Sequence, residues 1–251
     1  MNTAAQLARE FSAQEFSGDR TSAGLLAACR EMAAHYAGLE QAIAVLSDLR
    51  ANVSYIWYGG FSRTLGLERH GETREVSSIW EEEIFRLIHP DDLAGKHLQE
   101  LGFCHFIKRQ ARRRRGDYYL MSQLRMKSAS NGYMPVLHRM FYVPDPSNGA
   151  PRLALCLYSP LFFDLPARCL VVNTIDGHTQ PLGAPEPGTI LSARERQILG
   201  FIDRGMTSKE IAGLLCISIH TVSRHRQEIL GKLQVKNSIE ACRLARELTL
   251  L

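Results

Sequence analysis

The stretch from Leu191 to Ala245 reads LSARERQILGFIDRGMTSKEIAGLLCISIHTVSRHRQEILGKLQVKNSIEACRLA, and it marks its own helix boundaries. Ser192-Ala-Arg-Glu195, Thr207-Ser-Lys-Glu210 and Asn237-Ser-Ile-Glu240 each place a capping side chain three residues ahead of a glutamate. In such a box the cap oxygen accepts one orphan N–H of the first turn, while the carboxylate reaches back to another. Ser218, ahead of Ile219-His220-Thr221, is a fourth cap, and Gly205 falls where the first helix should stop. The spacing predicts four helices of about 8–15 residues joined by short turns.

The second and third of these helices meet the needs of a helix-turn-helix. Ala212 is the small residue where two helices can approach closely, and Ile211, Leu215, Ile217 and Val222 supply the apolar positions that hold their angle. Cys216 stands at the turn position that often carries glycine; it is small but less tolerant of positive φ. On a wheel of about 100° per residue, Val222, Ile229 and Leu233 point into a core. His220, Ser223, Arg224, Gln227 and Gly231 point the other way, a polar face that the major groove can accommodate. The planar fork of Arg224 matches O6 and N7 of guanine, and Gln227 suits adenine. Lys209, Ser218, Thr221, His225 and Lys232 suit phosphate, where they position a helix without specifying sequence. Each piece alone has a plainer reading: a Ser-x-x-Glu is a helix cap, and an arginine on a polar face is usually just solvated. Agreement of caps, small residue, apolar set and polar face along one stretch outweighs that reading.

On these residues Leu191–Ala245 resembles the LuxR-type helix-turn-helix of bacterial transcription regulators. The matching positions are Leu191, Glu195, Gly205, Lys209, Glu210, Ile211, Ala212, Leu215, Ile217, Ser218, Thr221, Val222, His225, Lys232, Leu233, Val235 and Ala241. The resemblance implies a four-helix module whose third helix enters the major groove through Ser223, Arg224 and Gln227. It also implies a fourth helix that pairs with its twin on an inverted-repeat site, so that a homodimer is expected. Arg226 departs from the pattern: it lies about 40° from the inward axis, where the family has an aliphatic residue. It is expected either to snorkel to a phosphate or to loosen the core.

Charge supports a polyanionic partner for this end of the chain. From Ile190 onward ten Lys/Arg face six Asp/Glu, which is the whole of the formal +4, and the preceding residues balance. A chain of 251 residues is long enough for two cores. The six cysteines show no C-x-x-C spacing and read as reduced, mostly buried thiols. The N-terminus has no basic leader followed by an apolar run, and no stretch approaches a membrane span, so a cytoplasmic location is expected.

The remainder predicts an α+β chain. Residues 1–50 read as a helical segment, with Leu39, Ile43 and Leu46 at helical spacing up to Arg50. Val53–Tyr58 reads as a strand, Gly59-Gly60 as a turn, and a further strand is expected near Phe61–Leu67. A short helix over Ile79–Leu87 stops at His89-Pro90, and another runs from Asp91 or Asp92 through Gln110. Tyr118–Lys127, Met134–Val143 and Arg152–Ser159 read as a meander, and Leu170–Ile175 with Thr179–Leu182 as one more hairpin. This order, with Phe85-Arg-Leu-Ile-His-Pro-Asp-Asp-Leu93 and the Asn131-Gly132 turn, resembles a PAS-like sensor domain over 51–182. Pro181, Gly183, Pro185, Pro187 and Gly188 mark a linker at 183–190, ahead of the DNA-binding domain at 191–251.

A PAS-like domain implies a small-molecule effector pocket, a dimer contact, or both. No catalytic residue, metal site or cofactor is expected: His89, Asp91 and Asp92 could ligate a metal, but the vicinal Asp91 and Asp92 point different ways at a helix start and no third ligand is spaced to join them. The run Lys108-Arg109-Gln-Ala-Arg112-Arg113-Arg114-Arg115 reads as the solvated end of a helix, with a second phosphate patch as its sharper alternative. The expected partners are duplex DNA, a second copy of the chain, RNA polymerase and a small effector, with no membrane. Two rivals are a sigma-type initiation factor, which needs an all-helical upstream region, and an enzyme with a DNA-binding appendage. Neither a phosphate loop, an H-x-x-x-H nor a nucleophile elbow supports the second.

Overall fold

A computed structural model of the chain describes residues 20–182, 191–233, 235–247 and 250–251. The linker expected at 183–190 and the first 19 residues of the N-terminal helical segment lie outside the described residues. The described residues form two compact units: one of 20–93 and 103–182, the other of 94–102 and the described residues from 191 onward. The expected α+β class is what forms: a helix-flanked antiparallel sheet and a bundle of short helices.

Helix α1 (Arg20–Leu39) leads into β1 (Ile43–Asp48), so the helical expectation through Arg50 is corrected from Ile43 onward. Gln41, at φ 52°, breaks the helix. Spacing alone misleads here because Ile43-Ala-Val-Leu is a continuous apolar run, and such a run also serves a strand covered on both faces. All six residues of β1 are buried. It lies between β2 (Val53–Tyr58) and β6 (Pro151–Pro160), in the sheet order β3-β2-β1-β6-β5-β4-β7-β8. Every pairing is antiparallel.

The strand expected near Phe61–Leu67 is instead the single-turn helix α2 (Phe61–Thr64). Gly59 accounts for the sharp entry, since a Cβ there would collide with the carbonyl oxygens of Ala37 and Ala42. Strand β3 (Thr73–Val76) has no counterpart in the expectations; it is an edge strand, mostly exposed, with no apolar alternation to betray it. Helices α3 (Glu82–Phe85) and α4 (Pro90–Arg109) follow. His89 caps α4, its Nδ1 accepting from the Asp91 N–H at 3.2 Å, and Pro90 occupies the first turn, where a missing N–H costs nothing. The meander β4 (Tyr118–Lys127), β5 (Tyr133–Pro144) and β6 matches its expected bounds to within one residue, and β7 (Cys169–Asn173) pairs with β8 (Thr179–Pro181).

The sheet is covered on both faces. Cys29, Ala33 and Ala37 of α1 form a small-residue stripe against Ala44, Leu46, Leu153, Leu155 and Leu157. On the opposite face, Phe103 of α4 stacks on Tyr142 with ring centroids 5.4 Å apart. There Asp92 takes Arg125 in a two-pronged ion pair, Nε at 2.9 Å and Nη2 at 2.7 Å. A buried row of paired residues, Ser122, His138, Tyr158, Ile43 and Tyr58, runs across five strands on this face. Burial, with the Glu83 carboxylate that accepts its hydroxyl at 3.0 Å, pushes the Tyr58 phenol up to about 12.

The basic run is partly structural. After α4, a 3-10 turn over Arg112–Asp117 lets Arg115 donate to the carbonyls of Lys108, Gln110 and Gly149 at 3.0, 3.2 and 2.7 Å.

The C-terminal helices are α5 (Ala193–Asp203), α6 (Ser208–Leu215), α7 (Ile219–Leu233) and α8 (Ser238–Glu247). Their shared core holds Leu191, Ile198, Leu199, Ile211, Ala212, Val222, Ile229, Leu233, Ala241, Leu244 and Ala245, all buried. Among the described residues no helix is long and apolar enough to cross a membrane.

Candidate nucleic-acid interface

Caps fix where each helix of this bundle begins. Ser192 and Thr207 form complete capping boxes with Glu195 and Glu210. At α8 the Glu240 N–H donates to Asn237 Oδ1 at 3.0 Å, while the Glu240 carboxylate accepts from the Lys236 N–H at 2.9 Å. Ser218 Oγ accepts from the Thr221 N–H at 3.0 Å and opens α7. Gly205 adopts φ 82° beyond α5.

The turn between α6 and α7 is closed by a paired hydrogen-bond motif. The Ile217 N–H reaches back to the Ala212 carbonyl at 3.1 Å, and the Cys216 N–H to the Gly213 carbonyl at 3.4 Å. Cys216 sits at φ 51°, ψ 44°, in the left-handed region where a Cβ is strained. The misgiving that the sequence raises at this position therefore corresponds to a real backbone demand.

Helix α7 divides as its wheel predicts. Val222, Ile229 and Leu233 are buried, while His220, Arg224, Gln227 and Gly231 are exposed and Ser223 is half-buried. The Arg224 side chain is 74% exposed and donates Nε to Glu228 Oε1 at 2.9 Å. The candidate base-reading residues Ser223, Arg224 and Gln227 thus share one face, placed by a buried seam on the opposite side.

The phosphate candidates are placed unevenly. Lys209 is exposed at the second position of α6. The hydroxyls of Ser218 and Thr221 lie 2.8 Å apart at the start of α7. His225 is half-buried, its Nδ1 3.2 Å from Glu228 Oε2. Lys232 is directed elsewhere: its ammonium lies 2.6 Å from the carboxylate of buried Glu195. Burial alone would raise the Glu195 carboxyl, but Lys232 and the Ser192 donors hold it below the usual range. Glu195, His225 and Glu228 offer ligand atoms within 4.8 Å of one another, yet a metal there would have to displace the Lys232 ammonium.

Arg226 follows neither of its expected fates. Its guanidinium donates to Ser208 Oγ at 3.1 Å and to Ser238 Oγ at 3.0 Å, tying the first turns of α6 and α8 to α7. The aliphatic residue of the family pattern is replaced by a polar strut rather than by a defect. Three participants carry no signal in the motif reading: Glu228, Ser208 and Ser238. Glu228 was findable, because a charge four residues after Arg224 lies on the same helix face.

Comparison with known proteins follows the same boundary. Residues 189–245 match the family model described as bacterial regulatory proteins, luxR family. Over 74 residues the chain is 36% identical to the oxygen regulatory protein NreC of Staphylococcus haemolyticus, covering 30% of this chain and 34% of that protein. Over 63 residues it is 41% identical to the transcriptional activator protein EsaR of Pantoea stewartii subsp. stewartii, covering 25% of each. The similarity therefore spans about a third or less of these curated relatives. Among solved structures, a phage VqmA–DPO complex aligns over 92% of both chains at 17% identity with a TM-score of 0.32, too slight a likeness to carry an argument.

Proposed function

We propose that this chain is a sequence-specific DNA-binding transcriptional regulator that works as a homodimer, with α7 in the major groove. One observation carries the reading: exposed Arg224 and Gln227, with half-buried Ser223 beside them, face away from a buried Val222–Ile229–Leu233 seam. Arg224 and Gln227 supply discrimination, while Lys209 and the Ser218–Thr221 pair engage phosphate. The match of residues 189–245 to the luxR family model supports the same assignment. A cytoplasmic location and contact with RNA polymerase belong to this reading.

The sheet unit, in the same proposal, is a PAS-like sensor that controls DNA binding through a small effector or through dimerisation. Its support is the antiparallel sheet with helices on both faces and the buried polar row of Ser122, His138 and Tyr158, where Ser122 Oγ lies 3.1 Å from His138 Nδ1. A sigma-type reading requires an all-helical upstream region, and an eight-stranded sheet occupies that place. No reaction is assigned to the chain.

The test is selection of bound duplexes from a random pool by the full chain, followed by salt titration. An enriched inverted repeat with an affinity that falls steeply with salt is the expected outcome. Failure to enrich any sequence sinks the proposal.

A further inference from the structure

Both oxygens of one carboxylate on the proposed DNA-facing helix are addressed by neighbours. Glu228 Oε1 accepts from Arg224 Nε at 2.9 Å, and Glu228 Oε2 lies 3.2 Å from His225 Nδ1. His225 in turn lies beside Glu195, whose carboxylate is fixed by Lys232 and by the Ser192 N–H, each at 2.6 Å. Glu195, His225 and Glu228 thus lie side by side, their ligand atoms within 4.8 Å of one another, with the Arg224 guanidinium bonded to the last of them.

Helix stability does not explain the Arg224–Glu228 pair. The acid lies C-terminal to the base, the weaker orientation for an i, i+4 pair, and both side chains are at least 36% exposed. A carboxylate on a face that approaches phosphate also repels every duplex alike. What the pair does provide is orientation. With Nε taken by Glu228, the guanidinium plane is set and its Nη1–Nη2 edge is left for an incoming ligand. That edge is the fork that fits two adjacent acceptors such as O6 and N7 of guanine.

We propose that Glu228 is a positioning and specificity-determining residue: it presents the end-on fork of Arg224 to one guanine and penalises binding wherever that guanine is missing. This inference rests on the reading of α7 as the groove-entering helix. Without Glu228 the guanidinium is free to swing to a phosphate, where it contributes affinity on any sequence and discriminates nothing.

The test uses the full chain on the duplex that selection returns. Binding of the wild type, Glu228→Gln, Arg224→Ala and the double variant is compared on that duplex, on versions with each other base at the contacted guanine, and on one carrying 7-deazaguanine there. Glu228→Gln is close in shape, and circular dichroism with thermal unfolding checks that the fold is kept. The wild type is expected to prefer guanine roughly tenfold or more. Glu228→Gln is expected to reduce that preference at least about threefold while binding the mismatched duplexes as tightly as the wild type or tighter. The double variant should show no less preference than Arg224→Ala alone, because Glu228 acts through Arg224. A merely structural Glu228 would instead weaken all duplexes together. Full retention of the guanine and N7 preference in Glu228→Gln, alongside its loss in Arg224→Ala, overturns this inference and leaves the proposed function standing. Unchanged preference in Arg224→Ala removes Arg224 as a reader and the inference with it, and a pool that enriches nothing removes both the function and the inference.

Discussion

Lys232 near the C-terminal end of α7 places its ammonium 2.6 Å from Glu195 in the first turn of α5, and the Glu195 side chain is only 3% exposed. The same carboxylate closes the α5 capping box through the Ser192 N–H at 2.6 Å. One buried acid therefore fixes both the start of the first helix of this bundle and the anchorage of the third.

Glu195→Gln keeps the volume and removes the charge that Lys232 meets at 2.6 Å. Lys232 is partly exposed, which limits the penalty to about 1–3 kcal/mol, less than for a fully buried pair. Denaturant unfolding of the full chain, followed by helical signal, should show the loss in the transition of the C-terminal unit. A shift under about 0.5 kcal/mol would mean that the pair is a surface contact in effect.

Acid should weaken both units. The Glu195 carboxyl is held below its ordinary value by Lys232 and Ser192 against the opposing effect of burial, and the Asp92 carboxyl is held low by Arg125 against the same effect. A depressed folded pKa means that the stabilisation is fully present above the unfolded carboxylate value, about 4, and is lost as pH falls through the folded pKa. Melting temperature is expected to be insensitive to these groups from pH 8 to 6 and to fall below about pH 4.5. In Asp92→Asn, with Glu195 replaced as well, that acid-linked fall should shrink.

Cys216→Gly should stabilise the chain. At φ 51° the Cβ is strained, and relief of that strain exceeds the extra freedom glycine gains when unfolded, for a net of roughly 0.5–1 kcal/mol. Cys216→Val should destabilise. Equilibrium unfolding measures both, and DNA affinity should not change with the glycine.

Arg226→Met trades the guanidinium strut for an apolar side chain of similar length. Loss of its bonds to Ser208 and Ser238 should cost about 1–2 kcal/mol. A double-mutant cycle with Ser238→Ala should give a coupling of at least about 0.5 kcal/mol. Additivity would show that the two side chains are neighbours without interacting.

Lys209→Gln removes one exposed cation from the second position of α6. Affinity should drop by a similar factor on every duplex, and the slope of log affinity against log salt should shrink by about one unit. A selective loss on one sequence would make Lys209 a base reader instead.

Legibility in the sequence tracked how local the deciding interaction was. Ser192, Thr207, Asn237 and Ser218 act within three residues of themselves, so their helices could be placed from spacing alone. The β4–β6 meander was legible for a similar reason, since turns such as Asn131, at φ 63°, punctuate it. Ile43–Asp48 reads as helix from its spacing yet forms a strand, because its state depends on β6, far along the chain, which no local period reports. The edge strand Thr73–Val76 carries no burial signature to detect. At the candidate interface the outward trio of α7 followed from the wheel, whereas the tasks of Lys232 and Arg226 depend on Glu195, Ser208 and Ser238 on other helices.

The central place of β1 constrains how the protein can be made. Its neighbours in the sheet are β2, which follows at once, and β6, whose Arg152 joins Asp48 in a buried ion pair across 104 residues. As the nascent chain leaves the ribosome, IAVLSD emerges early and one of its edges stays open until the last long strand has been translated. Long-range pairing of this kind slows folding and prolongs the time in which an oily edge can meet another chain. Truncation just before Pro151 should accordingly yield insoluble protein rather than a smaller folded unit.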